Sequence, residues 1–338
     1  MSVHGASAGR RLAVSVGAAA PDEFYDAYTF NVESRSLWAR ARGRFLRHRL
    51  AVAGLLILFV LFTAGLFAGH FAPYGYLEIN PAALSEAPSW AHPFGTDQVG
   101  RDYFSRVLLG IGTEARIAML VAFFGSVVGT LIGVAAGYFG GGLGEVLMRF
   151  TDLFLTLPPL VVVIVAANYL HVTSAFEVAV LLACLLWMPI ARVIRGVSLE
   201  LREKEYVEAA RAMGASDLRI IFRHILPNAV GSIAVAATVM TASAIILETT
   251  LSYLGFGISK FARTQDRTPS LGDVMADANV EGLFHWWGLF FPGLILVLII
   301  TSVYFVGDGL RDALDPSERR WVAPRRDDRQ QRRKTGGV

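Results

Sequence analysis

Between two apolar runs the chain carries a polar, basic stretch, Glu205-Tyr-Val-Glu-Ala-Ala-Arg-Ala-Met-Gly214, which continues to His224-Ile-Leu-Pro227. The chemistry its residue types offer is docking. Glu205, Ala209, Ala210, Ala212 and Met213 are good helix formers. Gly214 stands where a helix C-terminus needs a residue free to take positive φ. Ser216 can cap a following helix, with Asp217 in its first turn against the helix dipole. Pro227 then opens the next apolar run. The pattern predicts helix, glycine turn, helix: a short hairpin projecting from a membrane. Within it Glu208 can pair with Lys204 or Arg211 on its own helix, or meet a partner.

Bond-making chemistry is not written elsewhere. No lysine follows a glycine, so the chain has no Gly-Lys-Ser/Thr phosphate loop, and it has no His-Glu-x-x-His pair. The single cysteine, Cys184, lies inside an apolar run, which excludes a disulfide framework and a cysteine metal cluster. It reads as a small buried apolar residue. Glu248, at the end of an apolar run, is the charged residue nearest membrane depth. Intramembrane ionisable groups are functional candidates, so Glu248 either contacts a transported substrate or sits at the outer interface.

The elements that must hold the hairpin are membrane helices. Of 338 residues, 54% are hydrophobic and 17% charged, with a mean hydropathy of +0.48, beyond an ordinary soluble domain. Six apolar runs approach the ~20 residues a span needs: Leu50 to Gly69, Ile117 to Leu143, Leu153 to Leu170 with Pro158-Pro159, Val178 to Ala191, Ala229 to Leu247, and Trp286 to Gly307. The fourth is the weakest, though Arg192 and Arg195 could snorkel and extend it. The first lies too far along the chain for a secretory signal and reads as an anchor that stays. The second carries Gly125, Gly129, Gly133 and Gly137, four apart on one helical face, as for close packing against a neighbour in this chain or in a partner.

Six spans put both termini on one side, and the arginines say which. Residues 1–49 (Arg35, Arg40, Arg42, Arg44, Arg47, Arg49), the 192–228 loop and the 308–338 tail hold most of the basic residues. Residues 73–112 hold only Arg101 and Arg106, and residues 252–283 hold Lys260, Arg263 and Arg267. By the positive-inside rule both termini and the hairpin are cytoplasmic. The expected organisation is a cytoplasmic segment 1–49, a first span 50–72, an external loop 73–112, a core 113–310 with five spans and the loop 205–227, and a basic cytoplasmic tail 311–338. Next to a span, that tail reads as an orientation and headgroup signal, not a nucleic-acid site. The arginine bias suggests a GC-rich bacterial genome.

Glu208-Ala209-Ala210, then Gly214 and Leu226-Pro227, resemble the EAA motif of permease subunits in binding-protein-dependent ABC importers. Three further segments are similar to the C-type permeases of its dipeptide, oligopeptide and nickel branch. They are Phe94-Gly95-Thr96-Asp97 with Gly100-Arg101-Asp102, Ser105-Arg106 and Gly110; Leu251 to Gly257 with Pro269 to Gly272; and Gly307 to Pro316. His224 stands where the general motif often has an apolar residue, which this branch tolerates. Read alone, Asp97 can cap a helix starting near Gln98, with Arg101 and Arg106 on its polar side, making either an interfacial helix or a contact for an arriving binding protein. Asp308, Arg311, Asp312 and Asp315 form a charged stripe, either solvated or facing an ATPase.

The resemblance implies an all-α polytopic permease of the type I importer fold, six spans with a cytoplasmic coupling helix. Glu205, Glu208, Ala209, Ala210, Gly214, Leu226 and Pro227 would couple it to the ATPase. Asp97, Arg101 and Asp102 are the external candidates, and Glu248 the candidate on the substrate path. The resemblance further implies a second permease, two ATP-binding subunits that hold ATP and Mg, an extracytoplasmic binding protein, and alternating access for short peptides. Nickel or another small solute is the alternative cargo. A secondary transporter would place charges inside its spans for ion coupling, and these runs are nearly free of them; a membrane-embedded enzyme would need a catalytic cluster.

Overall fold

The computed structural model describes residues 37–258, 269–281 and 285–314, and in them the apolar runs are helices whose ends are set by their polar neighbours. Lys260, Arg263, Arg267, Asp315, Pro316, the first 36 residues and the basic tail lie outside the described residues. In order come α1 (Leu37–Phe45), α2 (Arg49–Leu66), α3 (Ala68–Phe71), α4 (Tyr103–Tyr138), α5 (Gly141–Leu155), α6 (Pro159–Leu170), α7 (Ala175–Arg202), α8 (Glu205–Ala212), α9 (Asp217–Ile220), a π-helical turn Ile221–Ile225, α10 (Leu226–Tyr253), α11 (Leu271–Glu281) and α12 (Trp287–Leu314). Five helices are long and apolar enough to cross a membrane: α2, α4, α7, the continuous stretch Asp217–Tyr253, and α12. The pair α5 and α6, bent by 85°, makes a sixth if taken as one broken span.

Several boundaries differ from those the apolar runs suggest, for local reasons. The third run is not one straight helix, because Pro158 and Pro159 disfavour helical backbone before them and Pro158 is extended, at φ −63° and ψ 115°. The fourth is not weak. Ser174 and Glu177 form a capping box at its start, and α7 continues through Arg192 and Arg195 to Arg202. The second begins at Tyr103, inside what reads as loop, because Asp102 accepts from the Ser105 amide at 2.7 Å and caps it. Cys184 is exposed on α7 and is not the small buried residue expected; many large apolar side chains are likewise exposed on the outer faces, among them Phe59, Phe123 and Val165.

The glycine face of α4 packs inside this chain. A Cβ on Gly129 would lie 2.7 Å from the Trp187 carbonyl oxygen, one on Gly133 2.6 Å from that of Ala191, and one on Gly137 2.6 Å from that of Arg195, all on α7. At Gly125 it would meet the Met240 sulfur of α10 at 2.5 Å. Backbone therefore meets backbone, a contact only glycine permits. Around it Ile117, Val121, Leu182, Ile190 and Ile194 form the larger core cluster. Tyr103, Val107, Leu271, Val274 and Trp287 anchor a second cluster at the other end. Gly133→Leu is expected to cost about 1–3 kcal/mol by overpacking and to lower the thermal midpoint of the purified protein. Gly142→Leu, with open space around it, leaves that midpoint unchanged.

The ends of α2 and α12 return to the end of the bundle that carries the hairpin. A Cβ on Gly309 would collide with that of Ala51, and the His48 and Asp312 side chains are 3.5 Å apart.

Candidate docking site

The hairpin is built outward from the ends of α4 and α7. Arg202 closes α7 and donates from Nη1 to the carbonyls of Gly137 at 3.3 Å and Tyr138 at 3.2 Å. After Glu203 and Lys204, α8 begins. Val207 and Ala210, three apart, are its buried face, and Val207 joins the cluster of Ile220, Ile221 and Ile225. Glu205, Glu208 and Ala209 are exposed on the other side. Of the two alanines, only Ala209 is presented outward.

The turn forms as its glycine requires. Gly214 sits at φ +81°, its amide donates to Arg211 at 3.0 Å, and the Ala215 amide donates to Ala210 at 3.1 Å. These are the two bonds of a Schellman ending. Ser216 then accepts from the Arg219 amide at 3.4 Å and caps the returning arm. That arm is not a separate helix. At the π-helical turn the Leu226 amide reaches back five residues to Ile221, just before the half-buried Leu226 and exposed Pro227, and the chain runs on into α10. The hairpin is therefore one free helix, α8, laid against the root of a membrane helix.

One residue clamps both arms and carried no local signal in the sequence. The Tyr138 hydroxyl, at the end of α4, donates to Asp217 Oδ1 at 2.6 Å and accepts from Arg211 Nη2 at 3.5 Å. The Arg211 guanidinium also lies 5.8 Å from the tyrosine ring centroid. Lys204 pairs with Glu200 at 2.9 Å, not with Glu208; that carboxylate raises the lysine above its ordinary value. Between exposed groups such a pair adds little stability. Met213, Leu218 and Phe222 are 81%, 67% and 63% exposed. Glu205 and Glu208 are exposed as well.

Beside the hairpin a mostly apolar cavity of about 670 Å³ opens between α7, α10 and α12, lined by Pro189, Val193, Ser232, Val239 and Ser243 among others. Glu200, Asn228 and Arg311 line it from the hairpin ends of those helices.

At the opposite end of the bundle, Asp97 and Arg101 share one ion-pair network and do not act as helix cap and polar face, while Asp102 caps α4. Asp97 is fully buried. Its carboxylate accepts from the Val99 and Arg101 amides at 3.1 and 2.8 Å, and it pairs with Arg101 and with Arg106, the latter at 3.3 Å. The helix there starts five residues later, because Asp97 spends its oxygens on this turn. Arg106 is itself fully buried. It bridges Asp97 to Asp277 on α11 and lies 4.9 Å from the Tyr76 ring centroid. Burial pushes the Tyr76 hydroxyl above its ordinary value, with Arg106 pulling it the other way. Asp102 is held by His92 Nδ1 at 2.9 Å. Of the three expected residues, only Arg101 is partly exposed.

Glu248 is fully buried on α10. Its Oε1 accepts from Ser252 at 2.8 Å, and its carboxyl group meets that of Glu114 on α4. Glu114 escaped the reading because α4 was expected to start at Ile117.

Comparison with known proteins gives consistent results. The family described as binding-protein-dependent transport system inner membrane component matches residues 129–320. The N-terminal TM domain of oligopeptide transport permease C matches residues 36–88. The chain is 38% identical over 277 residues to the oligopeptide transport system permease protein OppC of Mycobacterium bovis, covering 82% of this chain and 93% of that protein. It is 35% identical over 295 residues to the protein of the same name from Bacillus subtilis, covering 87% and 94%. Among solved structures, an inward-facing form of the MetNI methionine ABC transporter aligns with a TM-score of 0.52 at 20% identity, over 62% of this chain and 96% of that one. That likeness gives the fold.

Proposed function

The chain belongs to the family of binding-protein-dependent transport system inner membrane components, and from that premise we propose that it is the permease subunit of an ATP-driven importer of short peptides. The named relatives are oligopeptide permeases, which supports the cargo class. The observation that carries the reading is the hairpin: a helix with one buried and one exposed face, clamped at Tyr138 and continuous with α10. It has the build of an input surface for a motor on another chain. In this reading Glu205, Glu208, Ala209 and Gly214 meet one of two ATP-binding subunits, which hold the ATP and Mg. Ala210 and Leu226 pack the hairpin from within, and Pro227 opens the span behind it.

The hairpin side is cytoplasmic, both termini with it, and Arg101 with its network faces an extracytoplasmic substrate-binding protein. A second permease completes the path, and the cavity between α7, α10 and α12 is its inner section on this subunit. The transport step is alternating access, in which movement of α8 is passed to α10. The membrane is a bacterial inner membrane, and lipid covers the outer apolar faces.

The test is uptake of labelled dipeptides, longer peptides and nickel in a strain lacking this chain, with and without the wild-type copy. Peptide uptake restored by that copy is the expected result. Nickel uptake restored instead would keep the permease and overturn the cargo. A permease complex that purifies without an ATP-binding subunit would sink the coupling role of α8.

A further inference from the structure

The two buried acids at the end of the bundle far from the hairpin form an arrangement that transport coupling does not use. Glu114 and Glu248 are both 0% exposed, and their carboxyl groups face each other across the contact between α4 and α10. One oxygen of each is served by a hydroxyl: Ser252 Oγ donates to Glu248 Oε1 at 2.8 Å, and Thr249 Oγ1 lies 3.4 Å from Glu114 Oε1. The other oxygens, Glu114 Oε2 and Glu248 Oε2, receive no donor among the described residues. The further charged group acting on Glu114 is another acid, Asp273 on α11, whose Oδ2 lies 3.3 Å from the Ser270 amide nitrogen. From α2 the neighbour here is Gly65 against Gly112, which brings no side chain.

A carboxylate taken out of water needs a hydrogen-bond donor or a counter-charge for each oxygen. Two carboxylates in contact supply each other with neither. A single proton supplies what is missing, because one carboxyl then donates to the other. We infer that Glu114 and Glu248 together form a proton-binding site, one proton shared between their carboxyl groups and fastening α4 to α10. The bound species is a proton and not a metal: among the described residues no group of three or more His, Cys, Asp or Glu has the arrangement of a metal site. The inference rests on the packing of these helices, whatever the cargo.

Infrared spectra of the purified importer complex test it. The wild type is expected to carry a protonated-carboxyl band that disappears in Glu114→Gln and in Glu248→Gln. Each Gln variant retains the wild-type thermal midpoint, because an amide donates to the remaining carboxylate as the shared proton did. Glu114→Ala and Glu248→Ala lower that midpoint. A Gln variant that folds with the carboxyl band intact would overturn the assignment. So would Gln variants as unstable as the Ala ones. A wild-type midpoint that rises with added sodium or calcium, and does so less in Glu114→Gln, would put a cation between the carboxyls and overturn it equally.

Discussion

Replacing Gly214 by valine is expected to abolish uptake while the protein still accumulates in the membrane. The position has open space around it, so the added side chain clashes with nothing. What it opposes is the backbone, held at φ +81°, where a non-glycine residue costs about 1–2 kcal/mol and a β-branched one is a true outlier. A cost of that size is small beside the ~5–15 kcal/mol that holds a domain folded, and the spans remain. The turn does not. Relaxing φ breaks the two bonds from Gly214 and Ala215 that end α8, and the exposed face of α8 swings away from where it is presented. Gly214→Asn is the control, because asparagine tolerates left-handed backbone, and it is expected to transport. Uptake by the valine variant equal to wild type would remove the coupling role from this turn.

Arg106→Leu is expected to do the opposite, removing the protein itself. Arg106 and Asp97 are both fully buried and 3.3 Å apart. Breaking a buried pair by deleting one partner typically costs about 3–5 kcal/mol, a large share of the whole. Arg106→Lys should not rescue it, because an ammonium cannot span Asp97 and Asp277 while lying over the Tyr76 ring as the planar guanidinium does. Asp277→Asn should be far milder, since that carboxylate is 42% exposed and solvent-screened pairs contribute about 0–1 kcal/mol. Membrane content by immunoblot and the thermal midpoint of what can be purified measure all three. Full accumulation of Arg106→Leu would mean that the loop is held without its arginine.

What was legible in the sequence, and what was not, divides along a physical line. The hairpin could be read because its signals are local: Gly214 as a residue suited to the turn, Ser216 as the next cap, and good helix formers between Glu205 and Met213. The spans could be found because membrane helices are written in hydropathy, and the glycine face because four residues stood in register. Hydropathy failed at the ends. Tyr103 to Glu114 is helix although Arg106 and Glu114 dilute its apolar run, because both are buried against residues distant in sequence, Asp277 and Glu248. Asp97 was misplaced as a cap for the same reason: its partners include Arg106, nine residues on, as well as the local amides. Tyr138 was missed because its two partners lie more than seventy residues away, a pairing that no window along the chain contains.

The unbroken stretch Asp217–Tyr253 has a mechanical consequence. At ~1.5 Å per residue, its 37 residues form a rod of about 55 Å, with the root of the hairpin at one tip and Glu248 near the other. Along it the one departure from regular winding is the π-helical turn at Ile221–Ile225, placed before the apolar run from Ala229 to Leu247. Wider winding is more compliant there, so the joint lies at the hairpin root and the regularly wound shaft beyond it is the stiffer part. Under the proposed alternating access, a displacement of the hairpin would reach the far tip as a tilt, the two ends of the bundle acting as opposite arms of a seesaw.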